Sequence, residues 1–432
     1  MLKKVLCVIL AVFFGGESLS YAAEVFMERE RSGLRKIPLM IRPCQGPPEH
    51  KEQVAIVENV LRSDLKRSHV FELVETRDIG VSGNTTEAPA PGVMVKASKA
   101  GVLALVWAKL GTQDDGWVLE SYAYETAKGD QVLGVKVFGG QAKLRNLAHR
   151  FADKLTLHFT GENGVAQTKI AFVSDLSGSK EVYIMDYDGA NTMRFTRDQS
   201  IAISPRWSHD SEKIAYTSYR NGNPDLYVLR LKTGERKKSA SFPGLNFSAS
   251  WPPLGDQIAF ATTKDGNAEI YIINADGTGL KRLTFNPADD LSPTWSPTGK
   301  QIAFTSDRGG GPQIYVMDAD GSNVHRLTFD GDYNTSPAWS PKGDWIAYTC
   351  RNPERRLKLC ADRSDGTQSI AVTESGQWDD ESPSWGANGR ELIFTSNRFG
   401  KNQILSIHLD GTHLLRLTSN PANNTGPSWS LR

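Results

Sequence analysis

A mainly β fold is predicted for this sequence, a six-bladed β-propeller preceded by a small N-terminal α/β domain, and three observations predict it. First, Trp207, Trp251, Trp295, Trp339, Trp385 and Trp429 recur at intervals of 44, 44, 44, 46 and 44 residues, the period of a four-stranded propeller blade. Second, the stretch Ser292-Pro293-Thr294-Trp295-Ser296-Pro297-Thr298-Gly299 returns as Ser336-Pro337-Ala338-Trp339-Ser340-Pro341-Lys342-Gly343. Third, residues 24–160 lack the repeat and carry helix-period apolar spacing instead.

Taken in chain order, residues 1–23 read as a cleaved secretory signal. Lys3 and Lys4 precede an apolar run over residues 5–14, and the small residues Ala22 and Ala23 stand at the expected cut. A run of ten residues is too short to span a hydrocarbon layer of roughly 30 Å, and no later stretch is long and apolar enough. The expectation is an exported chain without a transmembrane segment in its mature part.

Residues 24–160 form the expected α/β domain. Residues 36–41 and 102–110 read as strands, and Val54, Val57, Leu61 and Leu65 mark one face of a helix ahead of a short strand at 71–74. A second helix shows the same spacing at Leu144, Leu147, Phe151 and Leu155, and residues 117–124 and 132–138 read as a hairpin between the two. The Pro-, Thr- and Ala-rich stretch 83–91 reads as a loop. Residues 161–168 are the expected linker, and the propeller runs over 169–432.

Each repeat offers four short β-branched or aromatic runs, separated by a Pro-x-Gly turn after the first and an Asp-Gly turn after the third. The second run occurs six times, beginning at residue 169 with no Trp run before it. The last Trp run, Pro427-Ser428-Trp429-Ser430, has nothing after it to pair with. The two ends must therefore share a blade, which closes the ring and removes an exposed edge.

Composition excludes several function classes. Removing residues 1–23 takes Lys3, Lys4 and Glu17 from 50 basic and 49 acidic residues and leaves the two in balance, so no field steers the chain to nucleic acid. No G-x-S-x-G nucleophile elbow occurs. The eight histidines do not converge on the inner strands, and no cysteine spacing matches a zinc site. Cys350 and Cys360 fall on neighbouring strands of one blade, either bridged or as a free buried pair. These features favour a binding protein over an enzyme, with no catalytic residue, no metal site and no cofactor. A cation held by channel acids is compatible with them, and a periplasmic propeller enzyme or carbohydrate-binding protein with a channel site is the alternative.

Chain direction alternates within a blade, so the connections that enter the inner strands and those joining second to third strands emerge on one face. That face carries Asn246 and Phe247, Asp289 and Asp290, Asp332 and Asn334, Asp379, Asp380 and Glu381, and Asn424. The opposite face has only stereotyped turns, and rigid scaffolds mount recognition residues on their varied loops. These ten residues are the expected partner-binding mouth, a ring of acceptors in which Asp289, Asp290, Asp379 and Asp380 are read as wet loop carboxylates whose joint removal would leave the fold intact.

At this point the signal, the α/β domain, the six S-P-x-W-S-P-x-G-x-x-I-A-F-x-S repeats and the closing P-S-W-S strand together resemble the TolB family of the bacterial Tol-Pal system. The resemblance extends over essentially the whole mature chain. It implies a non-enzymatic periplasmic adaptor that binds a Pal-like peptidoglycan-associated lipoprotein at the propeller mouth. It also implies contact with TolA through the mature N terminus, here Glu24, Val25, Phe26 and Met27, and a role in outer-membrane integrity and cell division. Other outer-membrane or peptidoglycan-associated proteins are further partners it implies. The segment departs from the family pattern by turning charged at Glu28-Arg29-Glu30-Arg31.

Overall fold

The computed structural model of the protein describes residues 36–80, 90–140 and 143–432. The expected signal at 1–23 and the segment Glu24–Met27 lie outside the described residues.

The first domain is a five-stranded sheet in the order Phe71–Val74, Ile37–Ile41, Ala104–Gln113, Gly116–Glu125, Gln131–Gly140. The first three strands are parallel and the last three form an antiparallel meander. Alternation sorts the side chains between two faces. Leu39, Ile41, Val106 and Leu110 pack with Val57, Leu61 and Leu65 of helix α1 (Lys51–Arg67). The same cluster takes Leu147, Phe151 and Leu155 of the helix at Leu144–Thr160. Met40, Leu105 and Trp107 point the other way and are covered by Met94 and Ala97 of a helix at Pro91–Lys99. The sequence reading missed that nine-residue helix and ran its loop through Pro91. Its apolar stripe is only two turns long, and its Pro sits at the first helical position, where the absent N–H costs nothing.

The second domain consists of six four-stranded sheets, numbered here as blades I to VI. Blade I runs Ala202–Trp207, Lys213–Ser218, Asp225–Arg230, Arg236–Ala240. Blades II to V begin with inner strands Asn246–Ser250, Asp290–Trp295, Asn334–Trp339 and Asp380–Trp385. In blade VI the inner strand Asn424–Trp429 pairs with Lys169–Ser174, so the C-terminal strand completes the blade that the chain began. One aromatic ring of every second strand is buried at the same level: Phe172, Tyr216, Phe260, Phe304, Tyr348 and Phe394 are all at most 2 % exposed. Truncating such a ring to Ala typically costs about 3–5 kcal/mol.

The S-P-x-W motif turns out to tie blades together. Pairing of each inner strand with its neighbour slips by a bulge at the third position. Ser204, Ser248, Ser292, Ser336 and Ser382 hold that position at φ between 51° and 58°, and Gly426 at 56°. The amide the bulge frees is taken up by the preceding blade: Ser336, Ser382 and Gly426 donate to Thr305, Thr349 and Thr395 Oγ1 at 3.0–3.1 Å. Three residues on, Trp295 and Trp429 donate their amides to Ser250 and Ser384 Oγ of the blade before. At the ring closure Trp207 N donates to Ser428 Oγ at 3.3 Å and its indole N–H to Ser428 O at 3.1 Å. Cys350 and Cys360 are joined as a disulfide between the second and third strands of blade IV.

Inner strands start at one end of the channel, here termed the loop face, and finish at the turn face. The first domain sits on the turn face, beside blades IV to VI. Its Asp64 is buried between the two domains and accepts from Tyr187 Oη at 2.6 Å, with His149 Nδ1 at 2.7 Å from its other oxygen. Burial beside Asp64 pushes the Tyr187 phenol well above its usual range, so it remains a donor. Glu162 pairs with Lys342 at 3.0 Å and Arg390 at 2.7 Å, both on Pro-x-Gly-type turns. The rings of His69, His408 and His413 meet at centroid distances of 3.6–4.7 Å across the same boundary.

Candidate partner-binding face

The loop face is uncovered by the first domain, and its ten expected contact residues divide sharply by burial. Asn246, Asp290, Asn334, Asp380 and Asn424 are at most 1 % exposed. They are the first residues of inner strands, and each finds an internal partner, with Asp380 Oδ1 and Asn424 Oδ1 left unpaired. Asp290 receives both oxygens' worth of hydrogen bonds from Arg308 Nη2 at 2.9 and 2.8 Å, and Arg398 reaches Asp380 at 2.6 Å. Asn334 and Asn424 donate to Gln313 and Gln403 Oε1 of the preceding blade. Asn246 donates to Phe242 O at 2.8 Å and accepts from Thr262. Burial raises the Asp290 carboxyl, with hydrogen bonds from Ser306 and Arg308 pulling against it.

The expectation of a ring of exposed acceptors is thus corrected at these five positions. Asp289 and Asp379 also serve the frame, because each accepts the backbone N–H that opens the third strand of the preceding blade, Ala268 at 2.8 Å and Leu357 at 3.0 Å. Asp332 is exposed and only 3.7 Å from Arg351. Phe247 is partly buried against the core of blades II and III. Glu381, half-buried, has no hydrogen-bond partner among the described residues; burial raises its carboxyl and neighbouring Asp379 adds to the shift.

The face also presents exposed aromatic rings. Phe285 and Phe329 are each 73 % exposed and occupy equivalent connections one blade apart, and Phe399 is 51 % exposed. A guanidinium lies on each ring: Arg282 on Phe285 at 4.7 Å, Arg326 on Phe329 at 5.1 Å, Arg416 on Phe399 at 4.8 Å. Arg351 covers Tyr333 at 4.1 Å and Arg398 covers Trp378 at 4.8 Å. The stacks hold the rings in place at little entropic cost, and pre-ordered Arg and aromatic groups are the residues that dominate protein interfaces. The signal was present in the sequence as Arg282-Leu283-Thr284-Phe285 and Arg326-Leu327-Thr328-Phe329, where a Phe follows the strand into a loop.

The chain matches the family described as TolB beta propeller domain over residues 157–432. It is 38% identical over 192 residues to Tol-Pal system protein TolB of Geobacter sulfurreducens, covering 44% of each chain. It is 34% identical over 189 residues to the protein of that name from Dechloromonas aromatica, covering 44% of this chain and 42% of that one. The chain thus spans less than half the length of these curated relatives. The crystal structure of TolB from Acinetobacter baumannii superposes with a TM-score of 0.79 at 25% identity, over 92% of this chain and 97% of that one.

Proposed function

We infer the function from the premise that this chain belongs to the TolB β-propeller family, and propose that it is a non-enzymatic periplasmic component of a Tol-Pal system. Its loop face binds a Pal-like peptidoglycan-associated lipoprotein, and other proteins of the outer membrane or peptidoglycan would dock on the same surface. Its mature N-terminal segment, Glu24–Met27, contacts TolA, and the assembly supports outer-membrane integrity and cell division. Among the described residues no helix is long and apolar enough to cross a membrane.

One observation carries the binding assignment: the uncovered face presents exposed Phe285 and Phe329 under their guanidinium stacks, while Asp289, Asp290, Asp379 and Asp380 are engaged within the fold. Singly scattered apolar residues need no explanation, but large rings held rigid at equivalent places on one face form an interaction surface. Replacing Phe285 and Phe329 together with Ala should leave the thermal midpoint within about 2 °C, since neither ring is buried. Titration calorimetry with the soluble domain of the lipoprotein should register a loss of affinity of tenfold or more. Unchanged affinity in the folded variant would move the site off this face. Deleting residues 24–27 should weaken binding of the TolA C-terminal domain and leave lipoprotein binding intact.

A further inference from the structure

Behind the loop face the channel is lined by the third to fifth residues of the six inner strands, and among these Arg206 in blade I is the single charged residue. The equivalent position holds Ser, Thr or Ala elsewhere, and in blades II, V and VI its hydroxyl serves as acceptor for the next blade's Trp amide. Blade IV, three places round a ring of six and hence opposite blade I, has Ala338 there, the smallest of the set. The long side chain is therefore faced by open space.

The guanidinium has one hydrogen bond, from Nη1 to Pro205 O at 2.9 Å, and forms no ion pair among the described residues. Burial alone lowers its pKa, with no charged group contributing. It remains charged nonetheless, and it stands partly exposed in the channel with no counter-ion beside it among the described residues. Arg206 lines a cavity of about 210 Å³ together with Ser248, Ser292, Ser336 and Trp295. The Trp295 indole N–H is buried and lacks an acceptor, whereas Trp207, Trp251, Trp339, Trp385 and Trp429 donate theirs. That N–H is shut away from the cavity, so the lining offers hydroxyls around one positive charge.

We propose that the channel is an oxyanion-binding site in which Arg206 is the charged ligand and the Ser248, Ser292 and Ser336 side chains line the space around it. The volume lies below the roughly 300–1,000 Å³ of a drug-sized pocket, which limits the occupant to a small free oxyanion or one carboxylate side chain inserted by a docked protein. A guanidinium fork matches carboxylate and phosphate alike. In the first case the site stands apart from the reading above; in the second the carboxylate would have to reach through the channel, because the cavity's lining ends at Pro253, Pro297, Pro341 and Leu431 on the turn face.

The test compares wild type with Arg206→Ser, which installs the residue found at this position in three other blades and should fold normally, and with Arg206→Lys. Titrating inorganic phosphate and acetate, and separately the soluble lipoprotein domain with and without phosphate, separates the two sources. A free anion gives saturable one-site phosphate or acetate binding that Arg206→Ser weakens at least tenfold and Arg206→Lys partly restores. A partner-borne carboxylate gives a tenfold loss of lipoprotein affinity in Arg206→Ser, with phosphate competing in wild type only. If the anions and the lipoprotein domain all treat wild type and Arg206→Ser alike, the site does not exist. Loss of lipoprotein binding on replacing Phe285 and Phe329 would be unaffected by that outcome, so the two readings fail separately.

Discussion

The loop face and the turn face of the propeller are joined by the same twenty-four strands, yet they have been put to different uses. The turn face repeats its Pro-x-Gly and Asp-Gly connections almost unchanged, and that regularity gives the first domain a level seat for Asp64, Glu162 and the three histidines. The loop face varies at every blade. Part of that variation is internal bracing, as in Asp290 with Arg308, and part is display, as in Phe285 and Phe329. Variability marks the face correctly, but it does not distinguish a strut from a contact; burial does.

The largest expected effect breaks the frame that both faces share. Deleting residues 427–432 removes half of the inner strand of blade VI, including Trp429, at 4 % exposure, and the Ser428 acceptors of Trp207. A buried Trp alone is worth about 3–5 kcal/mol, against a total stability of about 5–15 kcal/mol for a typical domain. Calorimetry should show the cooperative propeller transition abolished, and an unaltered midpoint would mean the ring does not depend on its latch.

Next comes a contrast within the loop face. Asp290→Ala strips a fully buried carboxylate from Arg308 and should cost about 2–3 kcal/mol, reduced from the usual figure because the guanidinium is partly solvated. Asp332→Ala, at a wet and loosely paired site, should stay within about 0.5 kcal/mol. Urea midpoints compared for the two variants would erase the strut-versus-contact distinction if they shifted equally.

Acid should then act on the turn face. Burial lowers His69 to about 3, with the rings of His408 and His413 and the charges of Lys36 and Arg67 adding to the effect. Burial likewise lowers His408 to about 4, with His413, Arg390 and Arg67 working in the same direction and Asp410 against it. Glu391 Oε1 lies 4.0 Å from His408 Nε2. Unfolded imidazoles take up protons near pH 6.5, so stability from these neutral rings is complete above that pH and declines as the pH falls from 6.5 toward 4. Thermal midpoints over that window should drop less steeply in His413→Asn, a substitution that suits the left-handed backbone at this residue; equal slopes would remove the cluster from the acid response. The smallest change is Glu162→Gln, whose exposed pairs with Lys342 and Arg390 should contribute no more than about 1 kcal/mol, measurable as a minor shift in urea midpoint.

Much of this architecture was legible because the repeat reports itself. Six tryptophans at a fixed interval fixed the blade count, and the unpartnered runs at residues 169 and 427–430 required the shared blade. The helix at Pro91–Lys99 escaped because two buried residues, Met94 and Ala97, make too short a stripe to register as a period. The binding face was located from its varied loops, but Asp290 and Asp380 looked like exposed loop acids. Their arginine partners lie 18 residues downstream across a strand, and convergence of inner strands on an axis has no local signature. The exposed rings went unnoticed because Phe285 and Phe329 stand three residues after the short strands Lys281–Arg282 and His325–Arg326, where nothing local separates an exposed ring from a core aromatic. Arg206 was hidden in a motif whose other five copies are uncharged.

The closure of blade VI also sets an order in time. Lys169 N donates to Ser430 Oγ across 261 positions of sequence, the longest span any hydrogen bond in the ring bridges, and contacts of such separation slow folding. Blades I to V can each zip from neighbouring strands, but Lys169–Ser174 must wait with one edge unpaired until the last strand arrives. During that interval the half-made blade is an open template for a second chain. Refolding should therefore end in a slow, concentration-sensitive phase whose partial product is a strand-exchanged dimer, with two rings each lent the other's final strand.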